Sequence, residues 1–489
     1  MKSIAKKLIK TAKKEKIHIV IRFQKFKSRS LTVKNLKVDN SDLLQKEGTG
    51  IHAFTKSGNM GFSSVDTIED ESRLINCLKK SIQLAKISEQ NSFEKIKEIF
   101  DLKKIIDSKT QKAPVDPFKI KISEFESDLK KINRRIKEKY PNFSATSIAK
   151  FYKNHLHTFR SDGTDVAFTA MNSNLYSFLT INKDGNINQM FNSTHSFGYE
   201  LISEAKKINY HYKLLDNYMQ YIKKLYKAKN LKPGNYTLLL DNSIAGVFAH
   251  EALGHLSEAD HYYTESPLLK NGRVKKGEKV APNYVNIFDE ANIKDRGFYP
   301  YDSWGVKRKR VDIIKKGKIK DLISDVITYK KTGCNLKGGA KAQFYSDIPC
   351  PRMSCTQINI DKKKTVKLNF DPLTSKVEKV YKVLLKNKLF KQYKEIIYLV
   401  GSNGGMVDSE RGNFQFASVL SFKLTRDKIQ LLKQVSFSGI TMEVLKSIKL
   451  AFGKPRFFPG FCLKNSQAII ESMSSPLILI DKNKYITVG

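Results

Sequence analysis

The chain has 489 residues, of which 40% are hydrophobic, and it carries a formal charge of +40. This is an ordinary globular composition, long enough for two domains with separate cores, and it excludes a disordered or fibrous protein. No run approaches the 18 apolar residues that suggest a membrane span, so a soluble chain is expected.

The charge is carried mostly by lysine and is spread along the whole sequence. Lys, Asn and Ile are abundant together, as AT-rich coding produces. Composition drift therefore explains the excess better than a nucleic-acid partner, for which no basic-aromatic motif stands in the chain. The five cysteines, Cys77, Cys334, Cys350, Cys355 and Cys462, are odd in number and scattered. That pattern argues against a disulfide framework and for a reducing, cytoplasmic compartment.

In chain order, MKSIAKKLIKTAKKEK lacks the continuous apolar core of a secretory signal. Ile4, Leu8 and Ile9 recur at helical spacing and predict a basic amphipathic helix. A glycine-punctuated strand pair then leads into a helix capped between Asp66 and Ser72. Residues from about 88 to 140 are lysine-rich and read as helical. DGTDVAFTAMNSNLYSFLTINKDGNINQMF alternates apolar and polar residues around Asp-Gly turns, as antiparallel strands do. A further helix, about 201 to 229, ends at the breaker NLKPGN, which sets a boundary between domains at 1–230 and 231–489.

The second half opens with the apolar strand YTLLLD, with Asn242 and Ser243 as helix caps. The helix after it carries HEALGH, and strands and turns dominate from there. VKRKRVDIIKKGKIKDLI predicts two strands around a Lys-Gly turn, with KRKR on a solvated strand. Helical stretches follow near 374–388 and 440–451. The fold class is α+β, two domains with mixed or antiparallel sheets.

HEALGH holds the chemistry. His250 and His255 are five apart, whereas the zinc-protease signature H-E-x-x-H places them four apart. On a regular helix four residues return to about 40° from the start and five overshoot to about 140°. Two histidines so spaced reach one metal only if the helix is distorted between them. Gly254 supplies a place for that, through a π-bulge or a terminating turn at Leu253 and Gly254. The competing reading is a pair of ordinary polar histidines.

HEALGHLSEAD resembles the HEAxGHxxEGD segment of the TldD/PmbA family of metalloproteases, also described as modulators of DNA gyrase. GTGIHAFTKSGNMGFSSVD, PCPRMSCT, NGGMVDSERGNFQFASVLSFKLTRDKI and PGFCLKNSQ resemble further family segments and follow in the family order. The resemblance implies a TldD/PmbA-like fold and places a zinc peptidase in the C-terminal domain. His250, His255 and Cys462 match the family's zinc ligands, and Glu251 matches its catalytic glutamate. It further implies unfolded peptide substrates, held as an added strand in the internal chamber of a dimer. The partner is a PmbA-type (TldE-like) subunit, with a homodimer as the alternative.

Some positions depart from the family pattern. Its acidic DDEG segment is here Asp302, Ser303, Trp304 and Gly305; its PRMTNT is PRMSCT, with Cys355 in place of asparagine. Leu463 and Ser466 replace glycines beside Cys462. These changes motivate a rival reading, a catalytically impaired member acting as a structural or regulatory partner. A basic nucleic-acid-binding protein is the lesser rival.

Overall fold

The computed structural model describes residues 1–489 apart from 92, 184, 185 and 293. The first helix, α1 (Lys2–Lys14), lays Ala5, Leu8 and Ala12 on the protein. The chain then forms β1 (His18–Lys34), β2 (Lys37–Phe54) and β3 (Met60–Val65), all antiparallel. Helix α2 (Glu71–Gln90) begins at Asp70, whose carboxylate accepts from Arg73 N–H at 3.0 Å. It approaches β3 so closely that a Cβ on Gly61 would lie 2.2 Å from the Ser81 carbonyl oxygen. Only glycine fits there.

The segment expected to be helical from 88 to 140 is mostly not. It forms β4 (Ile106–Thr110), parallel to β6 (Asp165–Lys183), and only α3 (Ile122–Lys139) is regular helix. Pro114 and Pro117 interrupt any helix between them, since proline lacks the amide donor. Strands β5 (Ser144–Arg160) and β7 (Asn186–Ser196) complete a seven-stranded sheet in the order β3-β2-β1-β5-β6-β4, with β7 also on β6. The expected Asp184-Gly185 turn lies outside the described residues. The helix read at 201–229 is broken into α4 (Glu200–Ser203) and α5 (Ala205–Ile222) by an extended Glu204.

The second sheet has thirteen strands among the described residues and is mixed. Its buried centre, β8 (Leu238–Leu240), runs parallel to Glu395–Asp408 and antiparallel to Gln467–Ile480. The expected Lys-Gly turn is present, with Lys316 and Gly317 at φ 49° and 73° between Val311–Lys315 and Lys318–Ile319. KRKR is not wholly solvated, however. Arg308 is buried, because its guanidinium is claimed by the buried Asp289 carboxylate and the Gly338 carbonyl. The α+β architecture with antiparallel and mixed sheets is as expected.

One core cluster packs helix α6 (Asn242–Ala249) against the second sheet. Another joins Phe125, Phe151 and Leu175 to Tyr398, Leu420 and Leu477, and so runs from the first sheet to the second. Asp241, not Asn242 or Ser243, caps α6. Its carboxylate accepts from the amides of Ser243 and Ile244 at 2.9 Å and of Gly401 at 2.8 Å. Asn242 is already inside the helix and donates to the Lys454 and Ser475 carbonyls. Asp241→Ala strands three amides, so we expect a loss of about 1–3 kcal/mol in denaturant unfolding. A variant as stable as wild type removes Asp241 from this role.

Candidate metal centre

Helix α6 leaves the end of β8 with Ile244, Ala245, Phe248 and Ala249 fully buried against the sheet. This face drives the following residues into the interior. At His250 the backbone changes to one π turn, His250–Gly254, and then to a short 3-10 turn, His255–Ser257. The His255 amide donates to the His250 carbonyl, an i→i+5 bond. The distortion required by the five-residue spacing is therefore present, and it brings the two imidazoles together edge to face, at 77° to one another. Their ring centroids lie 5.4 Å apart.

Cys462 comes from the hairpin of strands Ile448–Lys464 and Gln467–Ile480, three residues before the turn at Asn465 and Ser466. Its Sγ lies 3.1 Å from His255 Nε2. Ligand atoms of His250, His255 and Cys462 all fall within 4.8 Å of one another. Glu251 faces both rings, 4.0 Å from His250 Nε2 and 3.7 Å from His255 Nε2. All four residues singled out in the sequence are thus brought together. A cavity of about 490 Å³ opens onto Glu251 and His255 from the outside.

Cys355 is elsewhere. It is fully buried on the strand Cys355–Ile360, opposite Ser472, and outside the donor cluster. The altered DDEG segment builds a turn: the Asp302 carboxylate accepts from the amides of Trp304 and Val306, and Trp304 is buried edge-on to His52.

The sequence reading did not single out the supporting residues. Glu258 accepts at 3.1 Å from His255 Nδ1, and Glu471 lies 3.7 Å from His250 Nδ1. Glu258 stood in the HEALGHLSEAD segment three residues after His255, a spacing that places it beside the ring; Glu471 had no local signal. Each carboxylate faces the outer nitrogen of one imidazole, which leaves the other nitrogen turned toward the cluster.

The two histidines sit in different electrostatic surroundings. Burial pushes His250 down to about 3, helped by His255, so its ring is neutral with a free lone pair. Burial also opposes charge on His255, yet Glu258 and Cys462 outweigh it and hold that ring well above its ordinary value. Glu251 is raised by burial, and Glu471 is pushed up to about 7 by the same cause. Both nitrogens of His250 and both oxygens of Glu471 approach only at ion-pair distance; His250 Nδ1 and the Glu471 oxygens have no hydrogen bond among the described residues. Two imidazoles, a thiol and crowded buried carboxylates fit a divalent metal ion.

Gly254 meets Met353 in this turn. A Cβ there would sit 1.7 Å from Met353 Sδ, and Met353 is itself fully buried. Gly254→Ala is expected to cost about 1–3 kcal/mol in thermal unfolding through overpacking. Wild-type stability would show that Met353 has room to move.

The family model for the PmbA/TldA metallopeptidase C-terminal domain matches residues 233–486. A metalloprotease of Methanocaldococcus jannaschii is 28% identical over 461 residues, 92% of each chain. A protein of Saccharolobus solfataricus named as a zinc metalloprotease TldD homolog is 27% identical over 365 residues, 73% of this chain and 75% of its own. Among solved structures, a Thermotoga maritima protein described as a modulator of a DNA gyrase aligns with TM-score 0.75 and 16% identity over all of both chains. TldE from Thermococcus kodakarensis aligns with TM-score 0.72 and 16% identity over 99% of this chain and 100% of its own. At such identities the likeness to these structures concerns the fold.

Proposed function

Since this chain belongs to the TldD/PmbA family of metallopeptidases, we propose that it is a zinc-dependent peptidase acting on unstructured peptides or unfolded segments. The observation that carries the reading is the meeting of His250, His255 and Cys462 with Glu251 at their open side. Three protein donors leave one tetrahedral position free, as catalytic rather than structural zinc sites do. When bound, zinc supplies Lewis acidity toward the scissile carbonyl and lowers the pKa of water.

The chain's own residues do the rest. Glu251, beside the cavity, takes the proton of the attacking water on its carboxylate and passes it to the leaving amine nitrogen. Glu258, hydrogen-bonded to His255 Nδ1, orients that ring with Nε2 inward, and Glu471 stands at ion-pair distance behind His250 Nδ1. The burial of His250 and Cys462 excludes bulk water from the donors and strengthens their field. The five free cysteines agree with a reducing, cytoplasmic setting. A TldE-like partner subunit is the proposed companion, and the TldE fold neighbour supports it.

Metal analysis of protein purified without chelator should find one zinc per chain, and Cys462→Ser should lose most of it. Serine offers no thiolate at neutral pH. A folded wild-type protein unable to take up zinc removes the centre altogether. Glu251→Gln should keep the metal while peptide turnover falls by about 10² to 10⁴, the usual worth of a positioned base. Turnover near wild type with zinc retained would take Glu251 out of the mechanism. A flexible peptide should be cut while a stably folded small domain is spared. Efficient cleavage of the folded domain overturns the proposed preference for unfolded chains.

A further inference from the structure

Arg352 is fully buried and reaches both the hairpin of Cys462 and the carboxylates behind the two histidines. Its Nη2 donates to the Cys462 carbonyl at 2.6 Å. Its Nη1 donates to the Lys464 carbonyl at 3.5 Å and to the Gln467 carbonyl at 3.4 Å. Those three carbonyls belong to the tip of the hairpin that carries Cys462. On its other side, Nε lies 3.7 Å from Glu258 and 3.7 Å from Glu471. These are the carboxylates behind His255 and His250 respectively.

From this geometry, and resting on the metal-centre reading above, we infer that Arg352 is a positioning residue that locks the Cys462 hairpin to the histidine turn. Cys462 and the two histidines belong to segments about two hundred residues apart in sequence, so their meeting depends on side chains that tie the two together. Lys464 of the hairpin also bridges to the His255 side, to Glu258 at 2.9 Å and to Asp260 at 2.8 Å, but only Arg352 adds Glu471, the carboxylate behind His250. A guanidinium suits the task because it is planar and has five donors in a fixed fork. A lysine ammonium at the same place has one point charge and cannot span three carbonyls and two carboxylates. Arg352 does not itself line the cavity, and its hydrogen bonds go to backbone carbonyls, so it acts through the groups it holds.

The test compares full-length wild type, Arg352→Lys and Arg352→Met. Zinc affinity is measured by competition with a chelator, and cobalt(II) substitution reports the thiolate through its sulfur-to-metal absorption band. Loss of an outer support to a metal ligand typically weakens affinity by about 10- to 100-fold. We expect that loss in Arg352→Met, with an attenuated cobalt–thiolate band and unchanged far-ultraviolet dichroism. Arg352→Lys, which restores the charge but not the fork, should recover only part of it. Folded Arg352→Met with wild-type zinc affinity and an unchanged cobalt band overturns the inference. Should Arg352→Met not fold, the measurement passes to Glu258→Gln and Glu471→Gln, which keep side-chain volume. Unchanged zinc affinity in both then overturns it, and a fall in both supports it. Failure of the underlying reading shows differently: wild type would give no cobalt–thiolate band, or Cys462→Ser would leave it intact.

Discussion

One backbone hydrogen bond, from the His255 amide to the His250 carbonyl, decides whether the two histidines share a side of the helix. An α-helical register would send them about 140° apart and leave a single donor in the interior. The π turn is held from both directions. Before it, α6 is anchored at Asp241 and sealed to the second sheet by Ile244 and Phe248. At its end, Gly254 lies against Met353, and a Cβ there would sit 1.7 Å from Met353 Sδ. The turn is thus set by packing as much as by the backbone bond.

Met353 follows Arg352, so a single stretch of chain both shapes the histidine turn and grips the cysteine hairpin. The surroundings of that stretch are charged and dry. Burial raises all the carboxylates of the centre, but they resolve it differently. Glu258, though buried, is brought well below the ordinary carboxylate range by Lys464, His255 and Arg352. Glu471 has cations only at longer range and stays raised, at about 7. Lys341, buried beside it and bonded to the Met353 carbonyl, is pushed down to about 8 by burial.

Several elements were legible before the fold was seen. A helix cap between Asp66 and Ser72, which the structure places at Asp70, the α1 face with Leu8 and the Lys316-Gly317 turn all follow from local chemistry: a side-chain acceptor, a 3.6-residue period and a positive φ. The misreadings have a shared cause. Residues 106–110 became a strand because β6 offers an edge, and Arg308 went inside because Asp289 waits there. Asp241 displaced Asn242 and Ser243 as the cap because its carboxylate also reaches Gly401, a residue remote in sequence. In each case the partner lies far along the chain.

The candidate centre divides in the same way. The amino-acid order alone determined that His250, Glu251 and His255 share one short segment, that their spacing needs a distorted helix, and that Gly254 allows it. Through family resemblance it also pointed to Cys462. Only the tertiary structure decided that Cys462 Sγ lies 3.1 Å from His255, that Cys355 stands outside the donor cluster, and that Glu471 and Arg352 stand behind the donors. Local conformation is governed by neighbours in sequence, which can be read directly. The meeting of a hairpin, a helix end and a buried arginine is governed by sheet register and packing, which a linear pattern does not encode.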